Sequence, residues 1–202
     1  MADALIMDLF GVFTRFDNDL VPARLAKHCA EPEAAAARLA GVMARRDVIT
    51  GRVTLADLHE RLAAEHGYAR PYADFEEAWL TPYSDPMPGM AELVAPLAKR
   101  YRLVLLSNVD AYYWRVVRAM QPELGLFDDV LLSCDLGLAK PDPEIFRRAS
   151  ETALAPPSRC LFVDDTRGNV DAAAALGFRT HWFRDVTGFR LALIDEGFPL
   201  PI

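Results

Sequence analysis

Three cysteines, Cys29, Cys134 and Cys160, are spread across 202 residues, and no CxxC pair occurs. That spacing excludes a disulfide framework and a zinc knuckle. It predicts reduced, buried thiols in a cytoplasmic protein. No apolar run approaches the ~20 residues of a membrane-spanning helix, so no membrane partner is expected. The first apolar run has no basic residues ahead of it, which excludes a signal peptide. Positive charge is also scarce, with 22 Lys and Arg against 29 Asp and Glu and a net charge of -7. Without a basic patch, nucleic acid is excluded as a general partner. A small phosphorylated molecule is not, because only the local field of its site matters. Internal repeats and low-complexity tracts are absent beyond short alanine runs.

What is present fits a globular chain: 52% hydrophobic and 25% charged residues. The length suffices for one domain with a large core, or for one domain carrying an insertion. The first apolar run, residues 4–7, reads as a buried strand and ends on Asp8, with Gly11 at the following turn. In open α/β sheets, ligands bind at the carboxyl ends of strands. A carboxylate there can be a nucleophile, a metal ligand or a turn cap.

After Thr14 the pattern becomes helical. Residues 21–29 and 31–46 repeat apolar positions at helical spacing. Thr54, with Asp57 three residues on, opens a helix that Gly67 closes, and residues 74–80 form another. No strand is expected between residues 15 and 83. The turn-rich stretch 84–89 then leads into strands alternating with helices. Strands are predicted over 103–106, 130–132, 160–163 and 179–182, and helices over 90–99, 111–120, 168–176 and 187–196. Asp142 and Pro143 start one more helix as N-cap and N1. This alternation predicts an α/β fold, a doubly wound parallel sheet with an inserted α-helical cap. The core would comprise 1–14 and 84–202, and the cap 15–83.

Four strand-like runs or adjoining loops end in polar groups: Asp8, Ser107-Asn108, Lys140 and Asp164-Asp165. Each pair alone suits an ordinary turn, and a lysine before proline ordinarily faces water. A parallel sheet would bring all four ends to one edge, which turn chemistry does not explain. With this order and context the chain resembles the haloacid dehalogenase superfamily over nearly its whole length, specifically members whose helical cap follows the first motif. The resemblance implies that Asp8 is a nucleophile, that Ser107 and Asn108 hold a phosphoryl group, and that Lys140 neutralises its charge. It further implies that Asp165 binds Mg²⁺, with Asp164 supporting it, and that the carbonyl of Phe10 is a further metal ligand.

Phe10 departs from the family pattern. Phosphatases of the superfamily usually carry an acid/base aspartate there, which a phenylalanine cannot replace. Its dehalogenases lack that aspartate too, but generally also lack the metal that Asp164-Asp165 suggests. The expectation is a Mg²⁺-dependent phosphatase of a small phosphorylated metabolite working through an aspartyl-phosphate. A metal-independent 2-haloacid dehalogenase and a catalytically degenerate binding module are the alternatives. A receiver domain would place its acidic pair on the first strand and its phosphorylated aspartate later, the reverse of the order here. His28, His59, His66 and His181 have no spaced ligand partner and read as surface or packed residues. The run Tyr112-Tyr113-Trp114 reads as packing. Trp79, Tyr83, Arg167 and Asn169 could each line a site or serve the fold.

Overall fold

A computed structural model describes residues 3–198. Seven strands occur among them: β1 (Ala4–Met7), β2 (Thr14–Phe16), β3 (Ser84–Pro86), β4 (Arg102–Ser107), β5 (Asp129–Leu132), β6 (Cys160–Asp164) and β7 (Arg179–Trp182). Five make one parallel sheet in the order β5-β4-β1-β6-β7. β1 is its centre, with Met7 level with Leu105 of β4 and Val163 of β6. Asp8 extends the ladder by one bond, its N–H donating to the carbonyl of Val163 at 2.9 Å. Asp8 therefore leaves the middle of the sheet beside Asp164.

The sheet is covered on both sides, which is why its strands read as continuous apolar runs rather than alternating ones. The pleat still sorts the residues. Ala4 and Ile6 join Val104, Leu106, Cys160 and Phe162 in one layer, under Ile145, Phe146 and Ala149 of the helix Pro143–Thr152 and Ala173 of the helix Arg167–Ala175. Leu5 and Met7 join Leu103, Leu105, Leu161 and Val163 in the other. There they meet the helices Met90–Ala98, Ala111–Met120 and Val186–Asp195. Each fully buried Leu, Ile, Val or Phe stabilises by roughly 1.5–3 kcal/mol. A two-sided core of this kind holds the strand ends, and whatever side chains they carry, in fixed relation.

Between β2 and β3 every described element is helical: Leu20–Ala26, Pro32–Leu39, a 3₁₀ turn Val42–Ala44, then Arg46–Ile49, Leu55–His66 and Tyr72–Leu80. The helix at Leu55 follows the sequence closely. Thr54 and Asp57 form the reciprocal capping bonds, and Gly67 ends the helix at φ 63.

Three expectations need correction. Residues 31–46 are not one helix, because the chain breaks at Ala40 and Gly41, where Gly41 takes φ 75. Arg15 and Phe16 are in a strand, since β2 pairs antiparallel with β3 where the chain leaves the sheet and returns to it. A strand of three residues shows no periodicity to detect. Asp142 stands at the N-cap position, but its side chain makes no cap bond and instead pairs with Arg46 of the helical segment. A short helix, Ser133–Leu136, follows β5. No described helix is long and apolar enough to cross a membrane.

Candidate active site

The carboxyl edge of the sheet gathers the polar strand ends. Lys140 is the hub: its Nζ lies 2.7 Å from Asp8 Oδ1 and 2.7 Å from Asp164 Oδ2. Its side chain is 1% exposed, that of Asp8 10% and that of Asp164 0%, so this is a buried triad rather than a surface ion pair. Asp8 Oδ1 also accepts the N–H of Leu9 at 2.7 Å. Asp164 is saturated, since its oxygens accept Asn169 Nδ2 at 3.0 and 3.1 Å and the Thr166 N–H at 2.8 Å. Asn169, undecided from the sequence, thus sits in the site and orients Asp164.

Burial is the largest influence on Asp8 and pushes its pKa well above the ordinary carboxylate range. Lys140 opposes that shift, while Asp164 and Asp165 add to it. The lysine favours the ionised carboxylate, but burial outweighs it. Burial would likewise favour neutral Lys140, yet Asp164 and Asp8 together overcome it and raise its pKa.

Asp165 differs from Asp164. Its carboxylate accepts a bond from its neighbour, Thr166 Oγ1, at 3.3 Å, and burial followed by repulsion from Asp164 raises its pKa. It lies against Gly11, whose φ is +83. A Cβ built on Gly11 would come within 2.0 Å of Asp165 Oδ2, so only glycine permits this approach. Asp8, Asp164 and Asp165 each offer an oxygen within 4.8 Å of the others. Two of these carboxylates, Asp8 and Asp164, share the one ammonium of Lys140, Asp165 is not paired with it, and all the donors are hard oxygens. That donor set fits a divalent cation such as Mg²⁺. In the turn after β1, Thr14 N–H donates to Leu9 O and Gly11 N–H to Thr14 O, each at 2.8 Å. Neither bond uses the carbonyl of Phe10.

The two residues at the end of β4 behave differently from each other. Ser107 is fully buried, and among the described residues its Oγ has no hydrogen-bond partner, an arrangement that costs ~1–3 kcal/mol unless something accepts or donates there. The Asn108 amide is engaged twice with the backbone of Lys140: Nδ2 donates to its carbonyl at 3.0 Å and Oδ1 accepts its N–H at 2.9 Å. Asn108 therefore anchors the lysine loop to the sheet.

A cavity of about 200 Å³ opens over this cluster. Asp8, Lys140, Asp165 and Asn169 line its floor. Phe10, Phe16 and Tyr83 line a side wall, with ring centroids of Phe10 and Phe16 5.6 Å apart and of Phe10 and Tyr83 6.4 Å apart. Met43, Ala44 and Ile49 reach it from the helical segment. That segment is docked to the sheet edge, because Ser133 Oγ donates to the Ile49 carbonyl at 2.5 Å. Asp110, which sequence reasoning missed, also lines the cavity. It caps the helix Ala111–Met120 through the N–H groups of Tyr112 and Tyr113 and accepts Trp79 Nε1 at 3.4 Å. Its spacing as an N-cap was the available signal.

The remaining candidates serve the fold. His59 packs among Tyr68, Tyr72 and Phe75, His28 meets Tyr68, and His181 stacks on Phe189. His66 lies on the helix closed by Gly67. Among Asp, Glu, His and Cys, the described residues form one potential metal cluster, and no histidine belongs to it. Tyr113 and Trp79 are fully buried. Arg167 pairs with Asp171 on the surface and lies over Trp182.

Comparison with known proteins agrees with this fold. The model of haloacid dehalogenase-like hydrolases matches residues 2–177. A D-ribitol-5-phosphate phosphatase of Bacteroides thetaiotaomicron is 26% identical over 191 residues, covering 89% of this chain and 91% of the relative. A haloacid dehalogenase family enzyme of the same organism, complexed with magnesium and inorganic phosphate, superposes with a TM-score of 0.76 at 24% identity, over 92% of this chain and 96% of its own. The fold extends to the L-2-haloacid dehalogenase of Xanthobacter autotrophicus, with a TM-score of 0.61 at 23% identity, over 89% of this chain and 76% of that one. A family match over most of the chain and a carboxylate cluster at the centre of the sheet edge lead to one conclusion: the protein is an enzyme of the haloacid dehalogenase-like hydrolase family.

Proposed function

We propose that the protein is a Mg²⁺-dependent phosphatase of a small phosphorylated metabolite, working through an aspartyl-phosphate on Asp8. The observation that carries this is the buried Asp8–Lys140–Asp164 triad beside an under-neutralised Asp165. Phosphoryl transfer asks mainly for positioning and charge stabilisation, and this cluster offers both. Lys140 and the Leu9 N–H fix Asp8 Oδ1, which leaves the other oxygen for attack on phosphorus. The orphaned Ser107 hydroxyl donates to a phosphoryl oxygen, and Lys140 neutralises the charge that develops there. Asn108 acts chiefly by holding Lys140, in addition to the phosphoryl-binding role expected from the sequence. Asp8, Asp165 and the Phe10 carbonyl would hold the cation, which when bound supplies positive charge to the phosphoryl oxygens. Asp164 keeps Lys140 charged and in place.

The helical residues 15–83 form a cap over a core of 1–14 and 84–202 in this reading, with β2 and β3 as the joint. The cavity lined from both sides supports it. A phosphatase screen with and without Mg²⁺, including acyl and aryl phosphates, tests the assignment. Phosphate release that needs Mg²⁺ and is lost in Asp8→Asn is the expected result. Halide release from a 2-haloacid without metal would assign the chain to the dehalogenases instead, a reading that Phe10 favours and Asp165 opposes.

A further inference from the structure

Resting on the phosphatase reading, we infer that the substrate is a phosphomonoester whose organic part is small, uncharged and aromatic, an aryl phosphate rather than a polyol phosphate, a bisphosphate or a nucleotide.

Three features of the cavity converge on this class. The first is polarity. Away from the floor, the walls are Phe10, Phe16, Met43, Ile49, Tyr83 and Val109. The polar groups interspersed with them are mostly committed. Asn108 holds the Lys140 backbone, Asp110 caps a helix, Asn169 holds Asp164, and the Thr166 hydroxyl bonds Asp165. Asn18 and the Tyr83 hydroxyl remain for a ligand. A polyol chain would bury several hydroxyls with few partners, which disfavours it strongly. A flat ring meets the Phe10, Phe16 and Tyr83 rings without that penalty.

The second feature is charge. Among the described residues, Lys140 is the one cation that lines the cavity, against Asp8, Asp110 and Asp165. Lys140 is already shared between two carboxylates, and no other described lining residue is cationic to receive a second phosphate or a carboxylate. The third is size. About 200 Å³ lies below the ~300–1,000 Å³ of drug-sized sites, which suits a single ring and its phosphate but not a nucleotide.

The chemistry agrees with the shape. Asp8 Oδ forms a bond to phosphorus while the bond from phosphorus to the aryl oxygen breaks, and the electron pair leaves with a phenolate. Phenolate can depart unprotonated and later take a proton from water, so the step needs no acid where Phe10 stands. Water then attacks phosphorus and breaks the Asp8–phosphorus bond, giving orthophosphate, the released proton and free Asp8. An alkoxide leaving group would need protonation during the first step.

Since aryl phosphates also have the better leaving group, the test must read binding apart from turnover. With Mg²⁺ present, phenylphosphonate, 2,3-dihydroxypropylphosphonate and orthophosphate are titrated by calorimetry into the wild-type protein. Hydrolysis of phenyl phosphate and D-ribitol 5-phosphate is measured alongside. The expected result is phenylphosphonate binding about tenfold or more tighter than the dihydroxypropyl compound. Ile49→Ala should reduce phenylphosphonate affinity severalfold while leaving orthophosphate affinity unchanged. Equal or tighter binding of the dihydroxypropyl compound, with phosphatase activity intact, overturns the aryl assignment and leaves the phosphatase standing. Absence of both orthophosphate binding and hydrolysis of every phosphate tested overturns the phosphatase reading, and this inference with it.

Discussion

The floor and the roof of the cavity are built on opposite principles. The floor is buried charge: Asp8, Lys140 and Asp164 joined at 2.7 Å, with Asn108, Asn169 and backbone N–H groups meeting their remaining valences. The roof is apolar contact, with Met43, Ala44 and Ile49 brought down by a helical segment. Buried charge is costly to disturb because each partner left unpaired keeps its desolvation cost. Apolar contact is forgiving, since a smaller side chain leaves a gap that a ligand or water can fill. On the proposed function, chemistry belongs to the floor and selectivity to the roof, and substitutions can test that division.

The largest effect belongs to Asp8. Asp8→Asn keeps the shape and removes the proposed nucleophile, and kcat should fall by ~10⁴-fold or more while the fold survives. Turnover near that of the wild type, with an unchanged melting curve, would remove Asp8 from the mechanism. Lys140 comes next. Lys140→Ala leaves Asp8 and Asp164 facing each other in a buried place, and urea unfolding should show a loss of about 3–5 kcal/mol. In the roof, Ile49→Ala should cost about 2 kcal/mol, the low end for such truncations, because Ile49 borders open space. A larger loss at Ile49 than at Lys140 would reverse the proposed contrast.

Within the floor, Asp164 and Asp165 are adjacent in sequence but differ in surroundings. Asp164 is saturated by protein partners, whereas Asp165 keeps carboxylate capacity toward the cavity. Asp164→Ala should weaken Mg²⁺ by ~10–100-fold, the usual cost of removing a supporting group. Asp165→Ala should weaken it more, with the smaller loss of stability. Calorimetry of Mg²⁺ binding would expose swapped roles if the order came out the other way.

The floor was legible in the sequence and the roof was not. Asp8, Ser107 and Asp164 each end an apolar run, and a parallel sheet covered on both faces must bring such ends together. No periodicity reveals that Asn108 clasps the Lys140 backbone, because the partners are distant in sequence and the bond runs from side chain to main chain. The roof depends on where the helical segment bends. Gly41 ends one helix in a left-handed conformation, and the turn that follows delivers Met43 and Ala44 to the cavity. Helical spacing across residues 31–46 concealed that break. The pairing of β2 with β3 escaped for a related reason, since three residues with a proline at one end carry no alternation. Asn169 and Tyr83, undecided from the sequence, both line the cavity, while Arg167 is tied up at the surface.

The smallest effect tests the seam between floor and roof, at Phe10. Its ring packs against Phe16, Tyr83 and Tyr113, at the position where an acid/base would stand. General acid–base assistance typically contributes ~10²–10⁴-fold, so the wild type should hydrolyse alkyl phosphates poorly. Acyl and nitrophenyl phosphates, whose leaving groups depart as anions, should be better substrates. Hydrolysis of the aspartyl-phosphate, lacking an activated water, should then limit turnover, and a burst of product before a slow steady state is its kinetic sign. Phe10→Asp should favour alkyl over acyl phosphates, but by only about tenfold, well short of the full assistance. The new carboxylate would enter among aromatic rings beside Asp8 and Asp165, where burial and repulsion disfavour its charged form. A melting curve and a Mg²⁺ titration would separate lost folding or lost metal from a lost proton donor. If the wild type already hydrolyses alkyl phosphates well and the folded, Mg²⁺-loaded variant shows no gain, the proton comes from elsewhere. The helical segment offers no carboxylate or histidine to the cavity, and the Tyr83 phenol is pushed further from useful acidity by burial. Asp110 would be the group to change next, because it lines the cavity and burial raises its pKa.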